Sequence, residues 1–418
     1  MSLSGSTGRC SIQARWILRT PSEVLENHVL EIDEGLVTDI HQKPYSETIR
    51  LDDCCLVPSF VNAHAHLEFS DLARPFPFEG SFTGWIRELL EYRDRRRNSL
   101  ADLVMGGLFE LRHTGSAAVG EILTGNLNPA DYRDHSDFPV SSVVFREIIG
   151  LLPESHEEQL HLAKQHLDRF RPHEDDDPFA EQATCTSGGL SPHAPYTVQM
   201  QLFEQLVSLA GNRKAPVAVH LAETEAELQL LSRQTGEFRD LLERRELWRK
   251  GLFAKNGSPL DYLQLLRNVS RALIIHGNYL NNNELNYIAN HPNMTLIYCP
   301  RTHRSFGHYD HPWERLLQLG GQVAIGTDGR SSNPDLSMWN ELRFLKEKSP
   351  RATDQQLLHM GTTAGARALQ LPEFGSLKPG ASASLNIIRR AESTQSLFAH
   401  ENDLIGTMIR GQWIRSPV

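Results

Sequence analysis

Eight short runs rich in β-branched and other apolar residues recur along the chain, and most of them precede a segment with the apolar spacing of a helix. The runs cover residues 55–64, 116–122, 140–148, 188–194, 215–222, 271–277, 294–300 and 321–328. Parallel strands that are covered by helices have this nearly continuous apolar character. The pattern predicts an α/β protein built on a (β/α)8 TIM barrel, a fold that usually needs about 250 residues.

The two ends of the chain differ in character from the barrel region. Residues 1–57 and 372–418 consist of short strand-like segments and turns. We expect these ends to pair into one small β-sandwich domain beside a barrel of residues 58–371. Two insertions interrupt the barrel: an acidic segment, 171–187, which is predicted to form a loop, and a charged segment, 231–262, which is predicted to be helical.

Composition excludes several classes of partner. The chain has 42 Lys and Arg against 52 Asp and Glu, a formal net charge of −10, so nucleic acid is not expected as its main partner. No apolar run reaches the roughly 18 residues of a membrane span, and the first residues lack a signal-peptide pattern. Five cysteines without a C-x-x-C pair are typical of reduced thiols. We therefore expect a cytoplasmic protein that acts on a small molecule.

Polar side chains end several of the predicted strands. His64 and His66 lie two residues apart in NAHAHLEFS, so both imidazoles can point the same way and bind one ion. The later strand ends carry His193, His220, His276 and Asp328. Active sites of these barrels lie at the carboxyl ends of the strands, and unpaired polar groups are costly to bury. The pattern therefore predicts an active site at this face.

Five motifs together resemble the amidohydrolase superfamily: HAH, SPHAPYT, HLAE, IIHGN and GTDG-x-SSN, with KPGASASL in the carboxyl-terminal β segment. The resemblance covers essentially the whole chain. It is strongest to the branch with a single metal, which contains deaminases of adenosine-like compounds and of guanine, and triazine chlorohydrolases. A second metal would need a lysine at the end of the fourth strand, and GGLSPHA has none.

The resemblance implies one divalent ion, Zn²⁺ or Fe²⁺, whose ligands would be His64, His66, His220 and Asp328. Imidazole and carboxylate ligands suit both ions, and an open coordination position leaves room for water. By the same resemblance, Glu223 carries a proton from the water to a ring nitrogen of the substrate, and His276 hydrogen-bonds the attacking water. Asp328 also relays a proton to the leaving group, and His193 contacts the substrate.

Other polar and aromatic residues near the predicted strand ends are candidates for substrate contact. Glu68 follows the histidine pair, Trp85 lies near the start of a predicted helix, and Arg146 ends the third strand. Trp85 also suits a core position or the pocket wall. For Arg146, and equally for Glu121 and Glu147, substrate contact and an internal ion pair remain alternatives. Arg93 and Asp94 are candidates for binding ribose hydroxyls, with a solvated helix face as the alternative.

These features predict a hydrolase of C–N bonds other than peptide bonds, which most simply deaminates an amino-heterocycle. HLEFS and GSFTGW are similar to segments of aminofutalosine deaminases, and the chain is also compatible with S-adenosylhomocysteine or methylthioadenosine as substrate. A chlorohydrolase or cyclic-amide hydrolase built on the same metal site is the alternative enzyme. An inactive scaffold protein is the alternative of another class, although all four ligands are present. Barrels of this type often pair, so a homodimer is also expected.

Overall fold

Strands and helices alternate over most of the chain, of which the computed structural model describes residues 9–132, 140–171, 186–390 and 396–417. The strands are β1 (Cys10–Thr20), β2 (Glu23–Asp33), β3 (Leu36–His41), β4 (Ile49–Pro58), β5 (Phe60–His66), β6 (Ser116–Leu123), β7 (Ser141–Ile148), β8 (Thr186–Pro192), β9 (Val217–Leu221), β10 (Ala272–His276), β11 (Met294–Tyr298), β12 (Val323–Ile325), β13 (Asp328–Gly329), β14 (Leu385–Arg389), β15 (Asp403–Ile409) and β16 (Gln412–Arg415). The helices are α1 (Phe82–Arg95), α2 (Leu100–His113), α3 (His156–Arg169), α4 (Met200–Asn212), α5 (Glu225–Arg233), α6 (Glu237–Arg244), α7 (Pro259–Leu266), α8 (Asn282–Ala289), α9 (Pro300–Ser305), α10 (Trp313–Gln318), α11 (Met338–Lys348), α12 (Asp354–Gly361) and α13 (Thr363–Ala368).

Strands β5 to β12 form a parallel sheet in which each strand pairs with the next one along the chain. The sheet closes because β13, which follows β12 after two residues, pairs in parallel with β5 through Asp328–Ala65 and Gly329–His66. Counting β12 and β13 as one interrupted strand, eight strands enclose the barrel. The predicted (β/α)8 barrel is therefore confirmed.

Apolar side chains of the barrel strands pack into one buried cluster. It contains Val61, Ala63, Ala118, Val143, Phe145, Ala218, Leu273, Ile275, Ile297 and Ala324. Gly189 on β8 leaves space for the Phe145 ring, since a Cβ there would lie 2.5 Å from Phe145 Cδ1. This packed interior forms the floor beneath the polar side chains at the carboxyl ends of the strands.

The remaining strands form a second sheet, in the order β16-β15-β14-β4-β1-β2-β3. Antiparallel pairing of β14 with β4 joins the strands of the two chain ends. Apolar side chains from both ends, including Ile17, Leu56 and Ile387, bury a common core. The prediction that both ends build one small β-domain is confirmed, while its boundaries at residues 58 and 371 remain predictions.

The prediction of one strand over residues 55–64 is wrong in one respect, because this segment contains parts of two strands. β4 ends at Pro58 in the small sheet, and β5 begins at Phe60 in the barrel. Between them Ser59 donates its backbone N–H to the carbonyl oxygen of Ser384, at 3.0 Å, just before β14 of the small sheet. The sequence hides this break because the residues on both sides of it are equally apolar and buried.

The two predicted insertions have different outcomes. Most of the acidic segment 171–187 lies outside the described residues, and its last two residues begin β8. Segment 231–262 contains α6 and the first turn of α7, as its helical character predicts. Among the described residues, no helix is both long and apolar enough to cross a membrane.

Candidate metal centre and active site

Side chains from the ends of four strands meet above the barrel floor. His64 and His66 belong to β5, His220 to β9 and Asp328 to β13, while His276 is the last residue of β10. Because all these strands are parallel, their carboxyl ends share one face of the barrel. The predicted ligands, which are far apart in the chain, therefore lie together.

The distances between their polar atoms suit a shared cation. His66 Nε2 lies 3.3 Å from His220 Nε2, and Asp328 Oδ1 lies 3.4 Å from His64 Nε2 and 3.6 Å from His66 Nε2. Two ligand atoms that are each about 2.0–2.2 Å from a tetrahedral Zn²⁺ are about 3.3–3.6 Å apart. These three separations are those expected for ligands of one ion, and the candidate ligand atoms of His64, His66 and His220 all lie within 4.8 Å of one another.

Neighbouring groups leave the facing atoms of these ligands free. His220 donates its Nδ1–H to the carbonyl oxygen of His193, at 3.1 Å, so that its Nε2 lone pair faces the other ligands. The Ser332 hydroxyl donates to Asp328 Oδ2, at 2.6 Å, which leaves Oδ1 for the centre. His64 is fully buried, and neither ring nitrogen has a hydrogen-bond partner in the described part of the chain. A bound divalent cation would satisfy this orphaned imidazole, so the residues fit a metal.

Contacts between β5 and the residues just after β12 hold His64 and Asp328 together. The Asn62 side chain donates to Thr327 Oγ1, at 2.7 Å, and accepts the Thr327 backbone N–H, at 3.2 Å. Gly326 lies so close to β5 that a Cβ would be 2.8 Å from the His64 carbonyl oxygen. The glycine that opens the GTDG motif is therefore needed for the close approach of the two strands.

Three non-glycine residues at this face have left-handed backbone conformations: Ala222, His276 and Asp328, with φ values of 54°, 64° and 59°. Such a conformation costs an L-residue about 1–2 kcal/mol. It persists where surrounding contacts hold it, and it is concentrated at functional sites. The backbone is thus turned at the ends of β9 and β10 and at the start of β13, where the candidate ligands and their neighbours lie.

Burial sets the protonation states of the centre. It lowers the pKa of His64, His66 and His276 well below the ordinary range, and that of His220 to about 4. These imidazoles are therefore neutral at physiological pH, which is the form that binds metal. Burial, and then the charge of Asp328, raise the pKa of Glu223 well above its ordinary value. Glu223 can thus hold a proton.

Glu223 lies beside His276, with 3.4 Å between Glu223 Oε1 and His276 Nε2. Its loop is held by Glu227, whose carboxylate accepts the backbone N–H groups of Ala222, at 2.8 Å, and Glu223, at 3.0 Å. Asn278 donates its side-chain N–H to the Glu223 carbonyl oxygen, at 2.9 Å. We did not predict these supporting residues, although the Thr224-x-x-Glu227 spacing is a helix-start signal.

A cavity of about 250 Å³ opens above these groups. Its deep end is formed by His66, His220, Glu223, His276 and Asp328. Its walls are largely apolar and include Phe82, Trp85, Ile86, Phe238, Leu241 and Leu242. The last three belong to α6, so the 231–262 insertion, to which the sequence assigned no role, builds one wall of the cavity.

His193 and Trp85, which were predicted to contact the substrate, line this cavity, as do the further candidates Glu147 and Arg93. The Thr197 hydroxyl donates to the Ala194 carbonyl oxygen, at 3.1 Å, so it must accept from His193 Nδ1, at 2.7 Å. His193 Nε2 is consequently an acceptor on the cavity side. The Trp85 indole N–H donates to the Ser331 carbonyl oxygen, at 3.3 Å, and its ring faces the cavity.

Arg146 does not line the cavity, and its neighbour Glu147 does. Successive side chains of β7 alternate between the two faces of the sheet, so Phe145 and Glu147 point inward and Arg146 points outward. The Arg146 guanidinium donates to the Gly125 carbonyl oxygen behind the strand. The expectation that Arg146 faces the pocket is therefore corrected in favour of Glu147.

Glu68 is also absent from the cavity lining. Its buried carboxylate pairs with Arg93, at 2.6 Å, and with Arg96, at 2.8 Å. Arg93 itself lines the cavity, whereas Asp94 is exposed. Glu121 is fully buried and accepts the Leu67 backbone N–H, at 3.0 Å, as an internal support. Arg93 thus separates Glu68 from the cavity, and it is the member of the Arg93 and Asp94 pair that reaches the pocket.

Known proteins resemble this chain over nearly its whole length. Residues 55–414 match the amidohydrolase family. An aminodeoxyfutalosine deaminase from a Nitratiruptor species is 26% identical over 411 residues, which cover 91% of this chain and 92% of that protein. The structure of Helicobacter pylori aminofutalosine deaminase with methylthio-coformycin has a TM-score of 0.82 at 23% identity, and covers 97% of this chain and 100% of the other. The structure of a Xanthomonas campestris adenosine deaminase with bound zinc has a TM-score of 0.76 at 24% identity, with coverages of 97% and 92%.

Proposed function

The chain belongs to the amidohydrolase family, and from this premise we propose that it hydrolytically deaminates an adenosine-like nucleoside at a single divalent metal ion. One observation carries the proposal: three neutral imidazoles and one carboxylate converge from the ends of three strands, with Glu223 and His276 beside them. Aminofutalosine is the first candidate substrate, and S-adenosylhomocysteine and methylthioadenosine follow. The relatives named above support this class of substrate.

His64, His66, His220 and Asp328 would hold the ion. We propose Zn²⁺, with Fe²⁺ as the alternative, because both accept imidazole and carboxylate ligands. When bound, the ion acts as a Lewis acid and lowers the pKa of water from about 15.7 toward about 7. The protein then has to orient the water and the substrate, and to move two protons.

The residues of the chain divide these tasks. Glu223 delivers a proton to the ring nitrogen beside the reacting carbon, which makes that carbon electrophilic. His276, 3.4 Å from Glu223, orients the attacking water. Asp328 passes the second proton to the amino group. Both protons come from the attacking water: a C–O bond forms, the C–N bond breaks, ammonia leaves, and the reacting carbon becomes a carbonyl carbon.

The apolar lining of the cavity favours a nucleoside with an apolar 5′ substituent. Trp85 and Leu241 lie on its apolar walls, which would be poorly matched by a 5′-hydroxyl group. We expect kcat/KM for methylthioadenosine or aminofutalosine to exceed that for adenosine by about fourfold or more, since burying a methyl-sized group contributes about 0.8 kcal/mol or more.

Replacing Trp85 by alanine should reduce this preference. Loss of a buried aromatic contact worth about 1.5–3 kcal/mol predicts a rise of about 10–100-fold in KM for the apolar substrates, with a smaller change for adenosine. Steady-state kinetics with both substrates measure the difference. Phe109→Ala, at an exposed aromatic residue of α2, is the matched control and should behave like the wild type. An equal effect of W85A on both substrates would contradict the assignment of this wall.

A panel of substrates tests the proposed function itself. Aminofutalosine, S-adenosylhomocysteine, methylthioadenosine, adenosine, guanine, a chlorotriazine and a hydantoin are incubated with the metal-loaded protein, and release of ammonia or chloride is measured. We expect ammonia from at least one adenosine derivative. Chloride or ring-opened product alone would favour the alternative hydrolases. No turnover together with no bound metal would favour the scaffold alternative.

A further inference from the structure

Resting on the proposed function, we infer that His311 is a positioning residue that sets the orientation of His276 through a hydrogen bond to its backbone. His311 lies in the loop between α9 and α10, far along the chain from β10. Its Nε2 lies 2.7 Å from the carbonyl oxygen of His276. The bond is made to the backbone of a residue that we place beside the attacking water.

The surroundings of His311 determine which nitrogen carries its proton. Its Nδ1 accepts the backbone N–H of Trp313, at 3.1 Å. Nε2 must therefore carry the hydrogen that it donates to His276. The His311 ring also stacks on Tyr298, with ring centroids 3.8 Å apart and planes at 16°. The Nε2–H donor of His311 is thus held in place by the hydrogen bond at Nδ1 and by the stacked Tyr298 ring.

His276 needs such a support because its backbone is in the left-handed region, with φ of 64°. A shift of the peptide unit that follows His276 would move the Cα atom that carries the imidazole, whose Nε2 now lies 3.4 Å from Glu223 Oε1. The next residue, Gly277, is tied by its N–H to the Leu221 carbonyl oxygen, at 3.0 Å. His311 binds the carbonyl group of the same peptide unit, so it restrains the displacement that would misplace the His276 imidazole.

Two substitutions at position 311 separate positioning from general loop stability. His311→Gln places an amide N–H near the position of Nε2, so it can still donate to His276 but no longer accepts from Trp313. His311→Asn places an acceptor near the position of Nδ1, so it keeps the contact with Trp313 and loses the donor to His276. If His311 had a purely structural role in the loop, the two variants would lose kcat equally, or H311N would keep the higher kcat.

The inference predicts a loss of about 10–100-fold in kcat for H311N, with KM and bound metal nearly unchanged, because a displacement of about 1 Å can cost about 10²-fold in rate. H311Q should stay within about threefold of the wild type. His308→Ala, in the same loop but bonded to the Tyr279 hydroxyl, is the control and should keep nearly full kcat.

Crystal structures of the two variants provide a readout that does not depend on activity. We expect the His276 Nε2 to Glu223 Oε1 separation to increase in H311N and to be retained in H311Q. H311N with wild-type kcat and an unmoved His276, or H311Q as impaired as H311N, would overturn the inference. If the wild type deaminates no nucleoside, the proposed function fails, and the position of His276 in these structures alone decides the inference.

Discussion

Glu223→Gln should lower kcat by about 10²–10⁴-fold, which is the usual contribution of a positioned general acid or base. The substitution keeps the size and the hydrogen-bonding capacity of the side chain but removes the proton that we propose it delivers to the substrate ring. Glu223 is not among the proposed ligands, so metal content should stay at one ion per chain. The effect should therefore appear in kcat, with KM changed by less than about threefold.

Glu225→Gln is the matched control for this variant. Glu225 lies two residues further along, exposed on the first turn of α5, and its substitution should leave kcat and metal content unchanged. Activity of E223Q within about fivefold of the wild type, at full metal occupancy, would remove Glu223 from the chemistry and assign the proton transfer to another group.

Replacing His220 by alanine should abolish both metal binding and activity. His220 Nε2 is 3.3 Å from His66 Nε2, and its Nδ1 donates to the His193 carbonyl oxygen, so the imidazole is held in place for the proposed role as a ligand, which alanine cannot fill. A metal ion contributes several kcal/mol of transition-state stabilisation. The loss should therefore be at least about 10³-fold in kcat/KM, and bound Zn²⁺ or Fe²⁺ should fall far below one ion per chain.

His161→Ala is the control for removal of a histidine, since His161 lies on the exposed face of α3 and should bind no metal. Removing the metal from the wild type with a chelator should abolish activity, as H220A does. Adding Zn²⁺ or Fe²⁺ should then restore activity to the metal-free wild type and not to H220A. Retention of a full complement of metal by H220A would show that the ion is bound elsewhere.

The convergence of the candidate ligands could be predicted because strand ends meet in a barrel whatever their separation in sequence. His64, His220 and Asp328 each follow an apolar run, and parallel pairing brings those ends to one face. The small β-domain was predictable in kind, since the two chain ends share their short strands and turns. These features depend on patterns within single segments, which the sequence displays directly.

The inward-facing residue of β7 was harder to predict. Arg146 and Glu147 are adjacent, and a shift of one residue in register exchanges which of them faces the cavity. The run VSSVVFREI is apolar on both faces because β7 is buried by the barrel interior on one side and by helices on the other. Without alternation in the sequence, only the structure could select Glu147.

Glu68 and the α6 wall illustrate contacts that are not local in sequence. The neutralising partners of Glu68, Arg93 and Arg96, follow it by 25 and 28 residues, at the end of a helix whose packing the motif HLEFS does not reveal. Likewise, the sequence of α6 has the pattern of an ordinary amphipathic helix, with one apolar face. Whether such a face covers the barrel wall or the active site depends on the angle at which the helix crosses, which tertiary packing decides.

The central claim is that His64, His66, His220 and Asp328 share one ion, and anomalous diffraction from crystals of the metal-loaded protein tests it most directly. Data collected on both sides of the zinc and iron absorption edges should show a single peak per chain, about 2.0–2.2 Å from His64 Nε2, His66 Nε2, His220 Nε2 and Asp328 Oδ1. A peak at any other position, or none after loading with either metal, would contradict the account.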